Sequence, residues 1–161
     1  MDLAPTGRFP SLPLAPAPAE VIGVLRYSTA AGYVRTALVA DPARRIAAME
    51  RDGFRRGVRV EESAGPDHFS VLVLELGNPA KALDLARTHL RDACTRALDA
   101  RPVPGGGVAY LRSDGIAIAV VVVGRWEISA SLCTCVESPD RLAAVAAWAQ
   151  AITYRLGPNP T

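Results

Sequence analysis

A chain of 161 residues, half of them apolar and 21% charged, is sized for one domain with a hydrophobic core and is short for two. Its net charge of +2 implies no polyanion partner, so a protein partner is expected ahead of nucleic acid; homo-oligomerisation stays open. No run of eighteen apolar residues occurs, so no transmembrane segment is expected, and Lys81 is the only lysine in an Arg- and Ala-rich chain, the mark of a GC-rich bacterial genome.

Residues 1–20 hold Pro5, Pro10, Pro13, Pro16 and Pro18, a composition that favours extended chain and reads as an arm or linker. This stretch has no basic segment followed by an apolar one, so a location outside the cytoplasm requires that a signal or anchor was removed; otherwise the chain is cytoplasmic. Residues 21–157 are expected to form a single α+β domain, with 158–161 as a tail.

Val21–Tyr27 reads as a first strand, and residues 28–40 carry no clear signal. Asp41-Pro42 opens a helix, as N-cap and first-turn proline, with Ile46 and Met49 inward and Gly53 as its stop. Arg56–Glu62 alternates with period two, Ser63–Asp67 is a turn, and Phe69–Leu76 is a strongly apolar strand, so these pair as a hairpin. The longest helix starts at Asn78-Pro79, with Leu83, Ala86, Leu90, Cys94 and Ala97 as its apolar stripe. Pro102–Gly107 breaks the chain.

Val108–Arg112 and the turn Ser113-Asp114-Gly115 lead to Ile116–Cys135, the stretch that organises the fold. Its first eight residues are apolar, half of them Val; after Gly124-Arg125, Trp126, Ile128, Ala130 and Leu132 alternate with Glu127, Ser129, Ser131 and Cys133. This is a buried strand followed by a strand with one covered face. Ser138-Pro139-Asp140 starts a last helix with stripe Leu142, Val145, Ala149, Ile152 and Leu156, and Gly157-Pro158 ends it. The expected architecture is an antiparallel sheet of about five to six strands with two or three helices mainly on one face, built from a strand-hairpin-plus-helix unit used twice.

Three cysteines allow one disulfide at most. Cys133 and Cys135 leave their strand by one face, and Cys94 lies on a helical stripe, so helix and sheet are pinned together if those surfaces meet; reduced cysteines acting as small apolar residues are the alternative. A disulfide requires an oxidising compartment. The only histidines, His68 and His89, do not complete a zinc-ligand spacing with them, so no metal is expected, and neither histidine has a sequence context that sets it beside a thiol as a base. Pro104-Gly105-Gly106-Gly107 leads into a strand and lacks a following Lys, so it is not a phosphate loop and no cofactor is expected. Arg51, Arg55, Arg56 and Arg59 are interleaved with Asp52, Glu61 and Glu62 and read as a solvated face. Trp126 and Trp148 sit at core positions; a ligand pocket between helix and sheet would be lined by them.

Three patches carry a resemblance: Gly53-Phe54-Arg55-Arg56-Gly57 after a helix, Val71-Leu72-Val73-Leu74-Glu75-Leu76 leading into Asn78-Pro79-Ala80-Lys81-Ala82, and Gly124-Arg125-Trp126-Glu127-Ile128-Ser129-Ala130 leading into a closing Ala-rich helix. Their order over residues 41–156 is similar to that of uncharacterised secreted or lipid-anchored α+β sensor-type domains of GC-rich bacteria. The resemblance implies an extracytoplasmic binding or sensing module without assigned catalytic residues. The function expected is therefore a non-catalytic binding, sensing or interaction module. The alternatives are a structural subunit of a larger assembly and a small cytoplasmic enzyme using Cys133 or Cys135.

Overall fold

The alternating segments Arg56–Glu62 and Trp126–Cys133, beside the continuous apolar runs at 69–76 and 116–123, favour a sheet with a buried centre. The computed structural model describes residues 20–37, 41–94, 97–103, 106–133 and 141–156, the side chains of 92–94 and 154–156 excepted. Within them the order is β1 (Glu20–Tyr27), α1 (Ala30–Val34), α2 (Pro42–Arg51), β2 (Arg56–Ala64), β3 (Asp67–Glu75), α3 (Pro79–Cys94), β4 (Ala97–Pro102), β5 (Val108–Arg112), β6 (Ala117–Val123), β7 (Trp126–Cys133) and α4 (Arg141–Leu156). The fold is α+β: one seven-stranded antiparallel sheet in the order β1-β2-β3-β7-β6-β5-β4 with four helices. The hairpin-plus-helix unit recurs as β2-β3-α3 and β6-β7-α4.

The central pair is β3–β7, with Val71 opposite Ala130 and Val73 opposite Ile128. On this face Phe69, Val71, Val73, Trp126, Ile128, Ala130 and Leu132 meet Leu142, Val145, Trp148, Ala149 and Ile152 of α4 in the largest core cluster. The Phe69 and Trp148 rings meet edge-to-face at 5.8 Å. Burying each of the aliphatic side chains here contributes about 1.5–3 kcal/mol.

The opposite face carries the other three helices. Leu72, Leu74 and Leu76 pack with Met49 of α2, with Tyr33 and Val34 of α1, and with Ala82 and Leu85 of α3. Farther along α3, Ala86 meets Tyr110 and Val120. The helix therefore crosses from β3 over β7 and β6 toward β5, then hands the chain to the edge strand β4.

Helix starts follow the capping signals. Asp41 accepts from the Arg44 amide at 3.0 Å, and Asn78 Oδ1 accepts from the Lys81 amide at 3.0 Å. Thr29 caps α1 in the same manner, accepting from Gly32 N at 3.0 Å. The start at Ser138-Pro139-Asp140, the end at Gly157-Pro158 and the arm before Glu20 lie outside the described residues.

Three expectations change. The sheet has seven strands, because Ala97–Pro102, read as the end of a helix and a break, pairs with Val108–Arg112. Its side chains are exposed apart from the half-buried Ala97, which removes the apolar pattern that marks a strand. Residues 30–34 form a short helix where no element was read. The inward stripe of α3 is Ala82, Leu85, Ala86 and His89, while Leu83, expected inward, is 41% exposed. Among the described residues both edge strands, β1 and β4, have one neighbour each, and β1 leaves Val21, Ile22, Val24 and Leu25 exposed.

Candidate functional site: a polar niche under three helices

β7 alternates from its first residue, so Glu127 must point away from the Trp126 face. That side is where α3 crosses, and the crossing buries Glu127 to 1% exposure. Its partner is His89, whose Nδ1 shares a hydrogen bond with Glu127 Oε1. With the carboxylate ionised, the proton of this contact lies on Nδ1. The other carboxylate oxygen, Oε2, is buried and has no hydrogen-bond partner among the described residues.

Other polar groups gather on the same face. In register, Tyr27 of β1 sits beside Gly57, Leu74 and Glu127 in one row, with Arg59, Leu72 and Ser129 in the next. Gly57 is what lets this row close up. A Cβ there would stand 2.7 Å from Leu74 Cδ2 and 3.4 Å from Tyr27 Cδ2. Tyr27 and Tyr33 meet edge-to-face at 5.4 Å, and Thr36 Oγ1 donates to the Tyr27 hydroxyl at 3.0 Å. Tyr33 is buried, which pushes its phenol above the ordinary range; the charge of Arg45 opposes this, Glu127 adds to it, and Arg59 opposes it. Tyr33 thus stands within the electrostatic reach of groups from α2, β7 and β2. Arg45 is half-buried, and its Nε is enclosed without a hydrogen-bond partner among the described residues.

Each of these two enclosed atoms, an acceptor on β7 and a donor on α2, costs about 1–3 kcal/mol when left unpaired; Trp126 Nε1 is enclosed in the same way on the α4 side. The helix-roofed side thus holds a buried phenol, two guanidiniums and a carboxylate; His89, Arg45, Arg59 and Ser129 are half-exposed, while Glu127 is fully buried.

Cys133 lies elsewhere, exposed and free as a thiol at the far end of β7, six residues from Glu127 and so about 20 Å along the strand. The β3–β7 register sets His68 directly opposite it. This juxtaposition was not apparent from sequence context, and no hydrogen bond joins the two exposed residues. Cys135 and the side chain of Cys94 lie outside the described residues, so the disulfide stays an expectation.

Trp126 and Trp148 are 1% and 2% exposed and belong to the α4-side core, not to the niche. Beside Trp126, buried Glu75 meets Arg56 Nε at 2.5 Å and Arg125 Nε at 3.0 Å, and both guanidiniums lie near the Trp126 ring, 5.7 and 5.9 Å from its centroid. The arginines expected on a solvated face are thus divided: Arg56 belongs to this cluster, Arg51 contacts Asp52 at 3.4 Å, and Arg59 joins the niche.

Sequence reading missed Glu127 and His89 as partners. Glu127 sits in a clean alternation that looks solvent-facing. The signal for His89 was present: 82, 85, 86 and 89 follow the i, i+3, i+4, i+7 spacing of a buried helical face.

No helix of the described residues is long and apolar enough to cross a membrane. No family model matches the chain, and no curated protein matches it in sequence. Among solved structures it is similar to the extracellular domain of PknH from Mycobacterium tuberculosis, at 10% identity and a TM-score of 0.56, with 85% of each chain covered. At that identity the likeness is one of fold, and it agrees with the resemblance to extracytoplasmic domains of GC-rich bacteria.

Proposed function

We propose that this chain is a non-catalytic binding or sensing module working outside the cytoplasm, and that its ligand is received in the niche formed by Glu127, His89, Tyr33, Arg45 and Arg59. The observation that carries the reading is the pair of orphaned buried atoms, Glu127 Oε2 and Arg45 Nε. A core selected only for stability would fill that space with apolar side chains, since replacing a buried polar pair by well-packed apolar residues is often neutral or stabilising. Retaining an unsatisfied carboxylate beneath a helix is the kind of local cost that functional sites carry. The likeness in fold to an extracellular domain supports the location.

Two measurements test it. The double variant Glu127→Leu/His89→Leu should fold with unchanged or higher stability in urea; a loss of several kcal/mol would make the pair a structural necessity and remove the argument. Thiol counting on denatured, non-reduced protein from an oxidising compartment should find one free thiol; three would remove the disulfide and the support it lends to an extracytoplasmic location.

A further inference from the structure

One end of the sheet collects cations that the sequence scatters. There α2 ends, β2 starts, β3 gives way to α3, and the β6–β7 turn places Arg125. Backbone hydrogen bonds tie these segments together. Arg55 N donates to the Glu75 carbonyl at 2.9 Å, Leu76 N to that of Arg125 at 2.9 Å, and Gly77 N to that of Asp52 at 3.3 Å. Two buried carboxylates lie in this junction, and each is engaged twice. Glu75 meets Arg56 at 2.5 Å and Arg125 at 3.0 Å; Asp52 meets Arg51 at 3.4 Å and Lys81 at 3.5 Å. Arg55, between the two groups in sequence, is exposed.

The acids interleaved with these arginines in sequence do not offset them in space. Glu61 and Glu62 pair with Ser70 and Phe69, five and six residues beyond Arg56 on β2 and so roughly 17–20 Å away. Even with Glu50, exposed on the last turn of α2, set against them, the five cations give this end an excess equal to the formal +2 of the whole chain. One cation neutralises a buried carboxylate, and a second adds repulsion between like charges. Arg56 and Arg125 are half-buried and also lie 5.7 and 5.9 Å from the Trp126 centroid, so both guanidiniums are held in place before any partner arrives.

We infer that this end of the molecule is a docking surface for an extended acidic segment of a partner protein, whose carboxylates pair with Arg55, Arg56, Arg125 and Lys81. A guanidinium presents paired donors that match a carboxylate, and a side chain already held by its own ion pair loses little rotamer freedom on binding. A nucleic acid fits less well. Trp126 is buried and Phe54 packs against the helix-side core, so neither ring lies open for a base to stack on, and the charge excess is small and local. No residue of the niche takes part, so loss of binding here leaves the niche untouched.

The test uses the full chain and a fluorescein-labelled peptide of alternating Glu and Ser, read by fluorescence anisotropy beside its Gln-Ser analogue and an oligothymidylate of equal charge. The acidic peptide should bind and the Gln analogue should not, and binding should weaken at least about tenfold between about 50 and about 300 mM salt. Arg55→Gln and Arg125→Gln should each weaken it about three- to tenfold, and together more than about tenfold, with the near-ultraviolet circular dichroism unchanged. Arg101→Gln, on the exposed edge strand β4, should have no effect. Because Arg55 is exposed, its variant probes the surface even where loss of Arg125 from Glu75 disturbs folding. No binding of the acidic peptide, an equal loss in Arg101→Gln, or an oligothymidylate bound more tightly than the peptide would each overturn the inference.

Discussion

The two sides of the central sheet are built from the same strands and differ in almost every other respect. On the α4 side, Phe69, Val71, Ile128 and Trp148 interlock in a core with few polar members. On the other, three helices roof a surface in which Glu127, Arg59, Ser129 and Ser131 alternate with leucines and valines. One face is dominated by interlocked apolar side chains with Glu62 and Glu75 at its margins, the other sets a buried carboxylate at its centre beneath a helix. The contrast says that stability and recognition have been separated onto opposite faces of β7, one residue apart. A side chain at 126 or 128 answers to the core, and one at 127 or 129 to the niche.

That separation can be broken in order of force. Trp148→Ala should cost about 3–5 kcal/mol, seen as a large fall in the urea midpoint, because the cavity opens in the densest part of the α4 side. A loss below about 1 kcal/mol would mean that this face carries less of the stability than its packing implies.

Gly107→Ala comes next. This residue has φ +116°, and a Cβ there would stand 2.4 Å from the Val120 carbonyl oxygen. The β4–β5 connection cannot accept it without backbone movement, and a loss of about 1–3 kcal/mol is expected by thermal unfolding. A neutral result would show that the edge of the sheet yields freely.

Glu62, like Glu75, is a buried carboxyl on the apolar side; it faces the same way as Phe69, and burial pushes the Glu62 carboxyl above the usual range. The native state therefore holds this proton more tightly than the unfolded chain, and the contribution is present at low pH and lost as pH rises through the native value. Glu62→Gln should be more stable than the parent at pH 7, with the difference vanishing as pH falls below 4.5, the ordinary value. An unchanged pH profile would mean that the carboxylate is solvated.

The smallest effect belongs to the polar side. Cys133→Ser should change stability by no more than about 0.5 kcal/mol, and His68→Ala should leave the labelling rate of Cys133 with a maleimide unchanged, because the two exposed residues form no hydrogen bond. A marked slowing in His68→Ala would revive the thiol enzyme.

Much of this fold could be read directly from residues. The alternation in Trp126–Cys133 separated the two faces correctly, and Asp41-Pro42 and Asn78-Pro79 marked helix starts that the structure keeps. The features that escaped depend on packing that no local pattern records. Ala97–Pro102 is a strand because β5 offers it a free edge, not because its own residues alternate. Leu83 looked like the anchor of α3, yet the stripe turns by one residue and brings His89 inward instead. Once that helix crosses β7, a glutamate that would face solvent on an open strand becomes the floor of a site. Secondary structure was written locally, and the niche was written by topology.

The division between faces also extends to light. Both tryptophans, Trp126 and Trp148, lie on the α4 side, whereas Tyr27, Tyr33 and Tyr110 lie on the other. Indole emission therefore watches one half of the molecule, and three of the four phenols, all but Tyr154 of α4, watch the other. Occupancy of the niche should be visible in tyrosine difference absorbance with the tryptophan spectrum almost still, so a single unlabelled sample can follow unfolding and binding as separate signals.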